Sequence, residues 1–137
     1  MKTYDVILFF NELDLLELRL ETLQDFVDYF VIVEGTRTFT GNPKPLYFQE
    51  NIKRFDKWSD KIRYIVYDDE SYNPEDSPWT REHKSRDYMI NGLYDAEPDD
   101  LIFHSDCDEI WDPKFKYVDF NKGPVVSFAP ELYHYYL

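Results

Sequence analysis

The sequence predicts an α/β domain built on a mostly parallel sheet flanked by helices. Three observations carry that expectation. Short, largely apolar runs recur at Val6 to Phe10, Tyr29 to Val33, Ile62 to Val66 and Leu101 to Ser105, and such runs read as strands covered on both faces. Between the first two, Leu13, Leu16, Leu20, Leu23 and Val27 recur at spacings of three and four, the stripe of an amphipathic helix. Strand, helix, strand at this spacing is a βαβ unit, which requires parallel strands and a crossover.

The remaining elements follow in order. Asn11 is placed to cap the first helix. Thr36 to Pro45 is a polar loop broken by Gly41, Pro43 and Pro45. A short helix is expected from about Gln49 to Trp58, ahead of the third strand. Asp68 to Pro78 is rich in turn residues, and Ser77 followed by Pro78 supplies a cap and a first helical residue for a helix ending near Asn91-Gly92. After the fourth strand, Val125 to Phe128 and the tyrosine-rich Leu132 to Leu137 read as extended segments. No repeat, low-complexity tract or linker divides the chain, so residues 1–137 are expected to form a single domain.

Composition excludes whole classes of partner. The 137 residues carry 28 acids against 15 bases, a formal net charge of −13. Affinity for nucleic acid comes from clustered Lys and Arg, and anionic membrane surfaces demand the same, so neither is an expected partner. A hydrophobic fraction of 43%, with 19% aromatics, is too high for an acidic disordered segment. The single cysteine, Cys107, allows no intrachain disulfide and no cysteine-based zinc cage. No apolar stretch has the length of a secretory signal or a membrane span. The expected setting is reducing and cytoplasmic.

Ligands of open parallel sheets sit beyond the carboxyl ends of the strands. That rule selects Asn11-Glu12, Glu34-Gly35-Thr36 and Asp106-Cys107-Asp108-Glu109. An Asp-x-Asp triplet is common in a chain with 17 Asp, so position matters more than pattern. Following an apolar strand, with alternation turning both carboxylates one way and Cys107 the other, Asp106 and Asp108 suit Mg²⁺ or Mn²⁺. Those ions use one or two carboxylates together with substrate phosphates and water. The alternative is a solvated loop with Asp108 or Glu109 capping a turn. An EF-hand loop lacks its glycine here, and a phosphohydrolase with a nucleophilic Asp would normally carry the triplet after its first strand.

Glu34 has two readings: an acceptor for a ribose or base edge, or a carboxylate satisfying backbone donors in the loop through Thr36. Arg81 lies one turn into a helix, where an anion such as a diphosphate is favoured; a solvated arginine is the plain alternative. Glu82 and Arg86 form an i,i+4 pair. His83, His104 and the tyrosines at 133, 135 and 136 read as packing residues.

Four blocks in order give the chain a likeness to a known family. They are Phe9-Phe10-Asn11-Glu12-Leu13-Asp14-Leu15-Leu16-Glu17-Leu18-Arg19-Leu20, Val31-Ile32-Val33-Glu34-Gly35-Thr36-Arg37-Thr38-Phe39-Thr40-Gly41-Asn42-Pro43-Lys44-Pro45-Leu46, Arg81-Glu82-His83-Lys84-Ser85-Arg86, and Asp99-Asp100-Leu101-Ile102-Phe103-His104-Ser105-Asp106-Cys107-Asp108-Glu109-Ile110. Together they resemble glycosyltransferase family 17, which includes β-1,4-mannosyl-glycoprotein β-1,4-N-acetylglucosaminyltransferases. The resemblance implies a GT-A-type (Rossmann-like) fold and a UDP-sugar donor, UDP-GlcNAc or a related hexose. It also implies a glycan acceptor and a divalent metal, Mn²⁺ or Mg²⁺, on Asp106 and Asp108. It places Asn11, Glu34 and Arg81 near the nucleotide. Inverting transfer also requires a base on the acceptor side, for which Glu131 is the candidate.

Two departures from the family shape the expectation. Its animal members carry an N-terminal membrane anchor, which is missing here, so the cytoplasmic setting is kept. The matched blocks belong to the donor-binding half, which makes the chain a truncated or minimal enzyme, or a non-catalytic nucleotide-sugar-binding or assembly module. Apolar strand edges left where such a chain stops would favour homo-oligomers.

Overall fold

The structure, a computed structural model, describes residues 1–38, 40–68, 73, 75 and 77–114, with the backbone alone for Pro78, Arg81, Glu82, His83 and Arg86. Four strands, β1 (Thr3–Phe9), β2 (Tyr29–Gly35), β3 (Ile62–Tyr67) and β4 (Leu101–His104), form one sheet in the order β3-β2-β1-β4. Every neighbouring pair is parallel, as the βαβ reading requires. The expected extended segments at 125–128 and 132–137 lie outside the described residues.

Alternation along the strands sorts the core into two layers. From β1, Ile7 and Phe9 point to one face, where Phe30 and Ile32 of β2 join them against Leu16, Leu20 and Leu23 of helix α1 (Leu13–Leu23). Tyr4 and Val6 point to the other face with Val31, Val33, Tyr67 and Met89. A period of two in the strands and of 3.6 in the helix makes those faces meet.

The second helical region differs from the expected single helix over Gln49 to Trp58. A short helix α2 (Tyr47–Glu50) is followed by a 3-10 helix (Ile52–Trp58). The physical reason lies in the spacing: Phe55 and Trp58, both buried, are three residues apart, and side chains three apart eclipse on a 3-10 helix. Helix α3 (Pro78–Asp87) also passes into a 3-10 turn, Tyr88–Gly92. Its start is the expected one, since Ser77 Oγ accepts from the Thr80 amide at 3.3 Å. The turn at Gly92 presses directly on the sheet. A Cβ there would stand 3.0 Å from Ile65 Cδ1 and closer still to Val31 Cγ1, so glycine is the residue that lets the segment close.

The cap expected at Asn11 is corrected. Helix α1 begins one residue later, with Glu12 at the cap position and no side-chain cap. Glu12 turns back instead, its Oε2 accepting from the amides of Phe10 at 3.1 Å and Asn11 at 3.2 Å. The carboxylate thereby satisfies donors left at the end of β1, a role that Asn11 does not take.

Candidate active site

Chain order runs outward from β1 to β2 and β3, then crosses back to set β4 on the other side of β1. Strand order therefore reverses between β1 and β4, the place beyond the strand carboxyl ends where a crevice opens in such sheets. A pocket of about 270 Å³ occupies it. Its walls come from the end of β1 (Phe9, Phe10, Glu12), from Gly35, Arg37 and Lys44 after β2, from Ser85 of α3, and from Asp106, Cys107 and Asp108 after β4. Three acids and two bases thus share one small cavity.

The Asp106–Asp108 segment is a turn rather than the expected continuation of the strand, because β4 ends at His104. The Glu109 amide donates to the Asp106 carbonyl at 2.9 Å, and the Asp106 amide to Glu109 Oε2 at 3.0 Å. The turn still separates its side chains. Asp106 and Asp108 are exposed, whereas Cys107 between them is 2% exposed and packs in the core. Burial pushes the Cys107 thiol up to about 12.

Beneath the turn lies a feature that sequence reasoning missed. Arg19, fully buried on the leucine stripe of α1, forms a two-point ion pair with the equally buried Asp5 of β1, with Nε–Oδ2 and Nη2–Oδ1 both at 2.7 Å. Burial works against the guanidinium charge, but Asp5 outweighs it and the Arg19 pKa rises. Trp111 Nε1 donates to Asp5 Oδ1 at 3.0 Å while its ring stacks on Phe103 at 3.9 Å. The loop after β4 is therefore tied down at both ends. The available signal was position: Arg19 falls between Leu16 and Leu23 on the apolar face, where an unpaired charge is not tolerated.

Glu34 turns inward. Its carboxylate accepts from Lys44 Nζ and the Tyr47 amide at 2.8 Å, from the Phe48 amide at 3.1 Å and from Tyr64 Oη at 2.7 Å. An ionised carboxylate has about four acceptor sites, and all four are taken inside the fold. In this conformation it has none to offer a nucleotide. The backbone donors that it satisfies belong to Tyr47 and Phe48, not to Thr36. Burial, with the Glu34 bond second, drives the Tyr64 pKa upward. Lys44 is carried with Glu34 to the pocket wall, its Nζ also reaching the Pro45 carbonyl at 2.8 Å.

Of the residues expected at the site, Asp106 and Asp108 meet in the pocket. Asn11 is exposed beside it without lining it. Arg81 has its backbone on α3, the helix that supplies Ser85, and its side chain lies outside the described part. Glu131 lies outside the described residues. Glu12, at one of the strand ends the rule selected, does line the pocket, whereas Arg37 and Lys44 join it unannounced from the loop after β2.

A metal is implied by the resemblance, and the donor chemistry accommodates one. Asp106 and Asp108 present hard oxygen ligands in one cavity, and Mg²⁺ or Mn²⁺ completes its shell from phosphate and water. Among the described residues no group of three or more His, Cys, Asp or Glu side chains forms a full cage.

A model of glycosyltransferase family 17 matches residues 1–122. The chain belongs to that family. Over 106 residues it is 31% identical to the β-1,4-mannosyl-glycoprotein 4-β-N-acetylglucosaminyltransferases of Homo sapiens and Rattus norvegicus, and 30% identical to that of Mus musculus. Those matches cover 73% of this chain and 20% of each relative, so this family 17 chain spans about a fifth of the length of the curated relatives it matches. No solved structure matches it. Among the described residues no helix of this family 17 chain is long and apolar enough to cross a membrane.

Proposed function

We propose that the chain takes part in glycosyl transfer by binding a UDP-sugar, UDP-N-acetylglucosamine or a related hexose, with Mn²⁺ or Mg²⁺ held at Asp106 and Asp108 in a GT-A-type arrangement. The reaction so served is inverting transfer to a glycan hydroxyl. One observation carries the reading: two exposed carboxylates stand on a turn at the point where strand order reverses, in a chain of glycosyltransferase family 17. The names of the relatives support the choice of sugar.

The residues divide the work by charge. Asp106 and Asp108 offer oxygen ligands on the β4 side of β1. Arg37 and Lys44 line the pocket on the β2 side, and cations there favour an anionic diphosphate. A bound divalent ion would supply Lewis acidity, holding negative charge on the departing diphosphate. The turn that carries the two carboxylates is closed by hydrogen bonds between Asp106 and Glu109.

Calorimetric titration of UDP in the presence of Mn²⁺ tests the reading. The parent chain is expected to bind, and Asp106→Ala and Asp108→Ala are expected to weaken binding at least about tenfold, since each removes a charged ligand. UDP binding as tight in Asp106→Ala as in the parent would remove the metal role. A chain that binds UDP but neither hydrolyses nor transfers the sugar is a donor-binding module.

A further inference from the structure

A guanidinium carries five N–H donors and no acceptor, and in Arg19 all five are placed. Nε and Nη2 face the two oxygens of Asp5. Nη2 also donates to Ser105 Oγ at 2.7 Å. Nη1 donates to the carbonyl oxygens of Asp106 at 2.8 Å and Glu109 at 3.0 Å, with the Cys107 carbonyl at 3.5 Å. Ser105 Oγ then donates to the Glu109 carbonyl at 2.9 Å. The backbone of the turn thus converges from above on one buried cation, which leaves the side chains at 106 and 108 outside, in the pocket.

A buried ion pair is a poor source of stability, because apolar side chains of similar volume serve as well or better. What it supplies here is a defined geometry at a ligand-bearing turn. We propose that Arg19, anchored by Asp5, is a positioning residue that sets the Asp106 and Asp108 carboxylates for a divalent cation and nucleotide by gripping the backbone of their turn. The inference rests on the reading of that pocket given above. Lysine cannot do the same, since its ammonium donates from a single point and lacks the planar fork. It would keep a charge opposite Asp5 and release the turn.

The test uses Mn²⁺ alone and Mn²⁺ with UDP as probes, titrated by calorimetry into the 137-residue chain. Hydrogen exchange at the Asp106 and Glu109 amides, measured before metal is added, supplies a second readout. Arg19→Lys is expected to speed exchange at both amides and to weaken Mn²⁺–UDP affinity about 10–100-fold, the usual cost of losing a group that orients metal ligands. Leu23→Ala, in the same helix, is expected to lower Tm while leaving both readouts at the parent values. Ser105→Ala removes one of the five partners and spares the Asp5 pair; it is expected to move both readouts in the same direction by less, and it decides the matter if Arg19→Lys does not fold. Parental Mn²⁺–UDP affinity in the folded Arg19→Lys chain, or in Ser105→Ala where that chain is unfolded, overturns the role. So does an equal loss in Leu23→Ala, since lowered stability would then account for it. A parent chain that binds neither probe fails at the reading of the pocket itself, which distinguishes that failure from one confined to Arg19.

Discussion

Arg63 of β3 and Asp95 meet through two parallel hydrogen bonds, Nη1–Oδ1 at 2.7 Å and Nη2–Oδ2 at 2.8 Å. Tyr4 Oη adds a third bond to the same carboxylate at 2.8 Å, and the guanidinium lies 3.8 Å from the centre of the Tyr29 ring and 4.6 Å from that of Tyr94. Tyr4 and Tyr29 are register partners near the amino ends of β1 and β2. The cluster therefore closes the end of the sheet opposite the pocket, fastening the segment after α3 while leaving the carboxyl ends open to a ligand.

That cluster makes acid stability depend on Asp95. The bond from Arg63 holds its carboxyl well below the usual carboxylate range, while in the unfolded chain it titrates near ~3.9. A carboxylate with a lowered folded pKa contributes stability that is present above the unfolded value and is lost as pH falls toward the folded one. The midpoint of thermal unfolding is expected to be level in this contribution above about pH 5 and to fall between about pH 4 and 2. Asp95→Asn should fall less steeply over that window. Identical slopes in the two proteins would show that Asp95 does not contribute.

Glu34 and Lys44 form a buried pair at 2.8 Å, with side chains 0% and 4% exposed. Removing one member of such a pair leaves an uncompensated charge, at a cost of about 3–5 kcal/mol. Glu34→Gln also puts an NH2 group where one carboxylate oxygen stood, so either the Tyr47 amide, on Oε2, or the Phe48 amide, on Oε1, loses its acceptor. The urea midpoint is expected to drop accordingly, and UDP affinity with it, because Lys44 loses the group that holds it at the pocket wall. A midpoint unchanged from the parent would mean that the loop closes without this carboxylate.

Cys107 reports on the packing of the turn. With its thiol pushed up to about 12 by burial, little thiolate is present at neutral pH, and the thiolate is the reacting form. Native chain is expected to react with an aromatic disulfide reagent at least about a hundredfold more slowly at pH 8 than urea-unfolded chain, whose thiol titrates near ~8.5. Equal rates would show Cys107 turned out into the pocket.

Much of this architecture is legible in the amino-acid order. Largely apolar runs of five residues marked all four strands. At the centre of the sheet β1 and β2 are buried on both faces, as such runs demand, while β3 and β4 at its edges are partly exposed. The leucine spacing marked α1, and the rule of strand carboxyl ends led to Asp106 and Asp108. Phase errors appeared where local signals compete. Phe55 and Trp58 are as consistent with a 3-10 turn as with an α-helix, and the cap position fell to Glu12, whose carboxylate bonds back to the Phe10 and Asn11 amides rather than to the helix.

The sequence by itself determined the succession of strands and helices along the chain, the acidic net charge, and the carboxylates that follow β4. These are local properties, written in periodicity and charge. Only the tertiary structure decided which polar groups are spent inside and which face a ligand. Glu34 stands next to a strand end as plausibly as Asp106 does, yet its four acceptor sites are filled by Lys44, Tyr47, Phe48 and Tyr64 from 10 to 30 residues away. Arg19 looks like one more helix arginine until Asp5, Ser105, Asp106 and Glu109 close around it. Hydrogen-bond capacity is finite and burial makes each unpaired group costly, so a polar residue's role is settled by neighbours that chain order does not bring together.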